Sequence, residues 1–422
     1  MQEFKKITLI YDADVIASGI KENICRSGVY VTAVMILKEL LKRKDINLVI
    51  CCKGENIEEI KEYLAREQIF NFKYLNGYFS ILIDKIKWKA KFPRTLSHQY
   101  KSIAWWSVWL AFTCFFKIFK SFIDKGRSVN ECDCYLSTLY NMPKLLQNNE
   151  KIIKYSIGHD LMPLLFPQYY PGETWWKQRF EAFSHYFTDS EYSRSDFLKH
   201  LRHLKPQNVT TALLACDESF KPASIEQIKA IKQKYNIPEH KKYIFSLCNL
   251  EPRKNLIRTV RTFIDFIKKH SIDDLVFVLG GAQWDRFIKE LQGCINDLGS
   301  FKDKILKIGY VDDEDLAALY SGAEFFVYTS QYEGFGLPPL EAMSCGAAVI
   351  TSDNSSLPEV VGDAGIMIPY DSDEAHIKAY EDYYFNPQLK EANAKKGLEQ
   401  AKKFSWEKCV NIIVNELKAR SF

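Results

Sequence analysis

The sequence predicts an α/β protein of two doubly wound domains, each built on a parallel sheet. Three observations carry this. The chain has 422 residues, two to three times the length of a common domain of about 150. Short apolar runs rich in Val, Ile and Phe alternate with helical periodicities through the C-terminal half, as in a parallel sheet covered on both faces. Charge also changes sign along the chain. Residues 1–210 carry 31 Lys+Arg against 22 Asp+Glu, and residues 211–422 carry 26 against 31. Opposite signs in the two halves point to two domains with different partners. With 47% hydrophobic and 26% charged residues the chain is of ordinary globular composition, not disordered. A net charge of only +4 excludes a polycation that coats nucleic acid.

The elements follow in order. Lys6–Tyr11 reads as a strand, since the apolar run before Asp12 is too short for a signal peptide. Val29–Leu41 has helical periodicity and Asn47–Cys51 is a second strand. Lys151–Ile157 and His185–Thr188 are further strands, Glu191–Leu201 a helix and Val209–Leu214 a last strand. Asp217–Lys242, with Pro222 and Pro238, is a polar connection that marks the domain boundary. Beyond it the strands are Tyr243–Leu250, Leu275–Gly281, Ile305–Val311, Glu324–Ser330, Ala347–Asp353 and Gly365–Pro369. The intervening helices are Asn255–Lys269, with Asn255 as its cap, Asp313–Ser321 and Leu340–Cys345. A final helix runs over Ser405–Lys418. The expected division is 1–217, 218–404 and a terminal helix in 405–422. The 11 cysteines include no CxxC pair, and Cys132 and Cys134 form only CxC. A disulfide framework and a structural zinc are therefore not expected, and a reduced, cytoplasmic protein is.

One segment stands apart. From Lys85 to Arg127 there are ten Lys/Arg and one acid, Asp124, and Ile103–Ile123 holds three Trp and five Phe. The uninterrupted apolar stretch is short of the roughly 20 residues that span a bilayer. Trp beside Lys is the composition of a helix lying in the headgroup region. The expected membrane contacts are Trp105, Trp106, Trp109, Phe115, Phe116, Lys117 and Lys120, at the anionic inner face of the cell membrane. A helix buried between domains is the competing reading.

Two motifs carry chemistry. Tyr332–Met343, YEGFGLPPLEAM, places two carboxylates, Glu333 and Glu341, around Gly334, Gly336 and two prolines, between a strand and a helix. Glycines let backbone amides approach a ligand, prolines suit a first helical turn, and the helix N-terminus offers unpaired donors to a phosphate. One carboxylate can face a sugar and the other a ribose diol. Leu250–Asn255, LEPRKN, puts Arg253 and Lys254 at the carboxyl end of a strand, where open α/β sheets bind ligands. Two cations there suit a diphosphate.

The run from EPRKN through LVFVLGG to IGYVDDEDLAALYSGAEFFVYTSQYEGFGLPPLEAMSCGAAVITSDNSSLPEVVGDAG resembles the retaining glycosyltransferase family 4. The resemblance implies the GT-B fold, two Rossmann-like domains with parallel sheets facing across a cleft, the last helix returning to the N-terminal domain. It also implies a nucleotide-diphosphate-sugar donor. Arg253 and Lys254 would hold its diphosphate, and Glu333 would meet the sugar near the reacting centre. The amides of Gly334, Phe335, Gly336 and Leu337 would bind sugar and phosphate, Glu341 the ribose, and the backbone around Tyr310 and Val311 the base. The N-terminal half is similar to the family at Ser27-Gly28-Val29-Tyr30, whose Gly28 would near the phosphates. SIGHDLMP puts His159 at the site, and TDSEYSR resembles a strand-end Ser motif. ACDESF, at Ala215–Phe220, departs from the family pattern. No cofactor or metal and no nucleic acid are expected. The basic aromatic segment points to a lipid-linked saccharide acceptor. A soluble acceptor or a catalytically silent scaffold are the alternatives, and Asp12-Ala-Asp14 as a metal-binding DxD is a weaker one.

Overall fold

The computed structural model describes residues 6–22, 27–53, 56–69, 73–75, 129–170, 172–249, 251–281 and 285–421. The basic aromatic segment, with Trp105, Trp106, Trp109, Phe115, Phe116, Lys117 and Lys120, lies outside the described residues. Among the described residues thirteen strands run in chain order: β1 Ile7–Asp12, β2 Ile46–Cys51, β3 Lys73–Tyr74, β4 Cys134–Ser137, β5 Ile153–Gly158, β6 His185–Thr188, β7 Val209–Thr211, β8 Lys242–Leu247, β9 Leu275–Gly280, β10 Ile305–Gly309, β11 Phe326–Tyr328, β12 Val349–Ser352 and β13 Gly365–Ile368. They form a seven-stranded sheet ordered β3-β2-β1-β4-β5-β6-β7 and a six-stranded sheet ordered β10-β9-β8-β11-β12-β13. The described pairings are parallel. Each sheet thus starts centrally, grows to one side and then reverses to grow to the other. The reversal leaves a crevice outside the carboxyl ends of β1 and β4 in one sheet and of β8 and β11 in the other.

The chain divides into two compact units. Met1–Ile157, Phe166–Phe187 and Val410–Phe422 make the first, and Gly158–Leu165 with Thr188–Cys409 the second. In the first, β1 (ITLIYD) is buried at every position, as a central parallel strand must be. The helix Gly28–Leu41 packs Ala33, Ile36, Leu37 and Leu40 inward, and the Ser27 hydroxyl accepts from the Tyr30 amide as its cap. In the second, β9 (LVFVLG) is wholly buried, and the helix Leu256–Lys269 buries Val260, Phe263, Ile264 and Ile267 against the sheet.

Three local readings are corrected. Asp217–Lys242 is not merely a connection: Ile225–Lys234 is a helix with a reciprocal Ser224–Gln227 capping box. Its periodicity is hidden because Ile231 is its one buried residue. Asn255 sits at the start of its helix but its side chain does not cap it; its φ is +60°, and its Nδ2 donates to the Tyr370 carbonyl. The helix read as Leu340–Cys345 begins earlier, at Leu337, with Pro338 and Pro339 in its first turn.

Asp12 ends β1 and Asp14 opens the helix Asp14–Glu22 that follows. Asp12 accepts from the Asp14 amide, Tyr135 Oη and Asn141 Nδ2, and Asp14 from the Lys53 amide and Asn141 Nδ2. Protein donors therefore already engage the DxD carboxylates. Burial, and then the Asp14 charge, push the Asp12 carboxyl up to about 7.

Candidate active site

The second unit gathers its chemistry at the carboxyl ends of β8 and β11. After β8 the chain makes a tight turn, Pro252–Lys254, that buries both Arg253 and Lys254 to 9% exposure or less. They are not a solvated pair. After β11 it enters the Tyr332–Gly336 loop, which carries Glu333 at 7% exposure. Glu333 Oε1 lies 2.6 Å from Lys254 Nζ and 3.0 Å from Arg253 Nη1. Arg253 Nη2 reaches Glu251 at 2.8 Å, and its Nη1 also donates to the Tyr332 carbonyl. Lys254 Nζ donates to Tyr328 Oη at 2.6 Å. Burial alone would raise the Glu333 carboxyl, but the Arg253 and Lys254 charges outweigh it and hold the group at about 2. The site is therefore two cations interleaved with two carboxylates, and Arg253 Nε is buried with no hydrogen-bond partner.

Serine hydroxyls fix the loop. Ser355 accepts from the Glu333 amide, Ser356 donates to the Glu333 carbonyl, and Ser330 bridges the Arg253 and Tyr332 carbonyls. Ser355 holds a left-handed φ of +52°, a strained conformation for a residue with a side chain. Beyond Glu333 the amides of Gly334, Phe335, Gly336 and Leu337 find no acceptor among the described residues. Gly336 has φ +125°, and the helix Leu337–Ser344 starts immediately after it. Phe335 and Leu337 are buried. Glu341, in this helix, accepts from Tyr320 Oη at 2.8 Å. At the end of β10, Tyr310 is exposed and Val311 buried.

His159 lies in the same unit. Its Nδ1 is 2.7 Å from Asp189 Oδ2, and both side chains are buried. The loop and His159 touch: a Cβ on Gly334 would stand 2.0 Å from the His159 carbonyl oxygen. Glycine at 334 is thus required by the protein itself as well as suited to a ligand. Ser190 and Ser193 hydroxyls both donate to the Gly334 carbonyl, at 2.7 and 3.0 Å. The helix Glu191–His200 that carries Ser193 is held at its N-terminus by the Glu359 carboxylate, which accepts from the Glu191 and Tyr192 amides. Gly28, by contrast, belongs to the first unit, at the start of the helix Gly28–Leu41. Of the expected residues, Arg253, Lys254, Glu333, Gly334 and His159 are brought together. Glu251, Asp189, Ser190 and Ser193 lie inside the EPRKN and TDSEYSR motifs that the sequence singles out, though without a role of their own there, while Tyr328, Ser330, Ser355 and Ser356 were not marked by any motif role.

The model of the family described as "Glycosyl transferases group 1" matches residues 227–400, which hold the Arg253–Lys254 turn and both loop glutamates. The chain is 34% identical over 270 residues to O-antigen chain mannosyltransferase B of Escherichia coli, covering 62% of this chain and 68% of that protein. The chain belongs to the group 1 glycosyl transferases. It is also 31% identical over 271 residues to the serotype-specific mannosyltransferase WbdA of Escherichia coli, but spans only 32% of that protein. Among solved structures, Anabaena HepE in complex with UDP and glucose superposes with a TM-score of 0.67 at 15% identity, covering 98% of this chain and all of that one. Sucrose-phosphate synthase from Thermosynechococcus elongatus does so with a TM-score of 0.67 at 15% identity, over 98% of this chain and 99% of that one. This glycosyltransferase therefore has the GT-B fold that its motifs imply. His159 and Asp189 lie outside the residues the family model matches. Among the described residues, no helix is long and apolar enough to cross a membrane.

Proposed function

We propose that the chain is a retaining glycosyltransferase that moves a hexosyl group, mannosyl by the names of its relatives, from a nucleotide-diphosphate sugar to a lipid-linked saccharide in surface polysaccharide assembly. The observation that carries it is the buried Arg253–Glu333–Lys254 cluster beside a row of unpaired amides at a helix start. Cleaving a glycosyl phosphate leaves negative charge on the diphosphate and positive character on the sugar. Arg253, Lys254 and the amides of Gly334–Leu337 stabilise the first, and Glu333 lies where it can meet the second. Fixed cations at the leaving group supply what a metal would, so none is required. Glu341 binds the ribose, with Tyr320 holding its other side, and the exposed Tyr310 backbone meets the base. His159 hydrogen-bonds the sugar. Retention follows from attack on the face the phosphate leaves, the departing phosphate accepting the acceptor proton.

The lipid-linked acceptor and the inner membrane face rest on the composition of residues 84–127, and the cytoplasmic location on the cysteine pattern. The test is a panel of nucleotide sugars read by thermal stabilisation, followed by transfer to a polyprenyl-diphosphate-linked saccharide with the product anomer assigned by NMR. A donor at 100 times its Kd stabilises the fold by about 2.7 kcal/mol. A panel in which no nucleoside diphosphate or its sugar raises the melting temperature overturns the reading. A product of inverted anomeric configuration overturns retention alone.

A further inference from the structure

We propose that Asp189 is a positioning residue that fixes the His159 imidazole for sugar transfer, at a cost to the stability of the fold. The proposal rests on the transferase reading above. Asp189 follows β6 and His159 follows β5, adjacent strands, so the sheet brings their carboxyl ends side by side. Asp189 Oδ2 meets His159 Nδ1 at 2.7 Å. Asp189 is 3% exposed, and its second oxygen, Oδ1, is buried without a hydrogen-bond partner. Buried carboxylates that stabilise a fold have both oxygens satisfied, because an unsatisfied acceptor retains its full desolvation cost. This one spends its single good contact on the histidine.

The backbone on the other side of His159 is fixed as well. The Ser193 hydroxyl lies 3.2 Å from the His159 carbonyl and 3.0 Å from that of Gly334. The imidazole is therefore locked in rotation by Asp189 and locked in place against the Glu333–Gly334 loop. A ring tied at Nδ1 acts on a ligand only through Nε2, and the carboxylate dictates that Nδ1 holds a proton. Other charged or titratable groups acting on the pair include Asp160, which feels His159, Arg253 and Glu333, and Cys409, which feels Asp189. Burial raises the Asp189 carboxyl above its ordinary range, with His159 opposing, which agrees with a carboxylate that folding disfavours.

The decisive variant is Asp189→Asn in the full chain, with Asp189→Ala beside it. Three readouts are taken: melting temperature, steady-state kinetics against the donor, and the ¹⁵N signals of labelled His159. The expected result for Asp189→Asn is a melting temperature equal to or above wild type, kcat lower by about 10- to 100-fold with donor KM within about 3-fold, and loss of the single Nδ1–H form of His159. Asp189→Ala is expected to lose at least as much turnover. A melting temperature that falls in both variants in step with activity makes Asp189 structural and overturns the proposal. So does wild-type kcat in Asp189→Asn, or an unchanged His159 tautomer. If the wild-type chain transfers no sugar, the transferase reading fails, while the NMR and thermal readouts still decide whether Asp189 fixes the ring.

Discussion

Replacing Gly334 by Ala tests how tightly the Tyr332–Gly336 loop is built. A Cβ at 334 would lie 2.0 Å from the His159 carbonyl oxygen and 3.2 Å from Asp160 Cβ. Gly334 does not occupy the left-handed region, so the substitution meets no backbone strain, only an occupied space. Real Cβ atoms essentially never approach within 3.0 Å, so loop or histidine must give by at least 1 Å. Neither is free to do so. The Gly334 carbonyl is held by Ser190 and Ser193, and the Glu333 amide by Ser355. Breaking the two bonds to the Gly334 carbonyl, both buried, costs about 1–2 kcal/mol each. At about 2–4 °C per kcal/mol for a unit of this size, the melting temperature falls by about 4–16 °C. Displacing Glu333 by about 1 Å from its working position lowers turnover by about 100-fold. Differential scanning calorimetry and a donor-hydrolysis assay read the two effects. Gly293→Ala is the control: nothing lies within 4 Å of its Cβ, and it sits inside a helix, so stability rises by about 0.5–1 kcal/mol. A Gly334→Ala variant with wild-type melting temperature and turnover would refute the contact and with it the rigid-loop argument.

The remaining expectations concern charge and surface. Lys254→Ala and Glu333→Ala each lower turnover at least about 100-fold, about 2.7 kcal/mol, in a coupled nucleotide-release assay; near wild-type rates in either would contradict their assignment. Asp12→Asn changes the pH dependence of stability. The folded carboxyl takes a proton near pH 7 but the unfolded one only near pH 3.8, so protonation favours the native state below pH 4 and the benefit is lost as pH rises through 7. The variant therefore gains on wild type between pH 4 and 8, by at most about 4 kcal/mol, and a pH-independent difference in urea melts would reject the burial argument. Changing Trp105, Trp106 and Trp109 together to Ala abolishes sedimentation with anionic vesicles; unchanged binding removes the membrane reading of that segment.

The second unit was legible because its strands are buried on both faces and read as continuous apolar runs. Asp313–Ser321 matches the observed helix at both ends, and β9 ends one residue from its expected position. The first unit was less so. β4 is four residues, CYLS, and β3 only two, too short for any periodicity to register. The helix Asp14–Glu22 was missed since its sequence, DVIASGIKE, is broken by Gly19 and ends in charges. In the site, the individual residues were readable from local spacing, but their pairing was not. Glu333 meets a lysine 79 positions away, and Asp189 a histidine 30 away. Only the strand order makes those ends neighbours.

The strand order also explains why the charges stand where folding least wants them. Glu251, Arg253, Lys254 and Glu333 are each at most 9% exposed. Desolvating four charges costs several kcal/mol apiece, and mutual attraction returns that only with full hydrogen bonding, which Arg253 Nε lacks. Apolar side chains of the same volume would serve the fold as well or better. The arrangement makes sense as preorganisation: the cations are oriented, dry and held by Glu251, Glu333 and the Tyr332 carbonyl before any substrate arrives. A diphosphate entering beside them meets charges whose reorganisation has already been met during folding, in a medium where each is worth more than in water. The same logic covers Asp189, which is stabilised through Oδ2 by His159 and penalised at Oδ1 by the lack of a partner. Both features place an energetic cost in the second unit at the ends of the strands where the chemistry is proposed to occur.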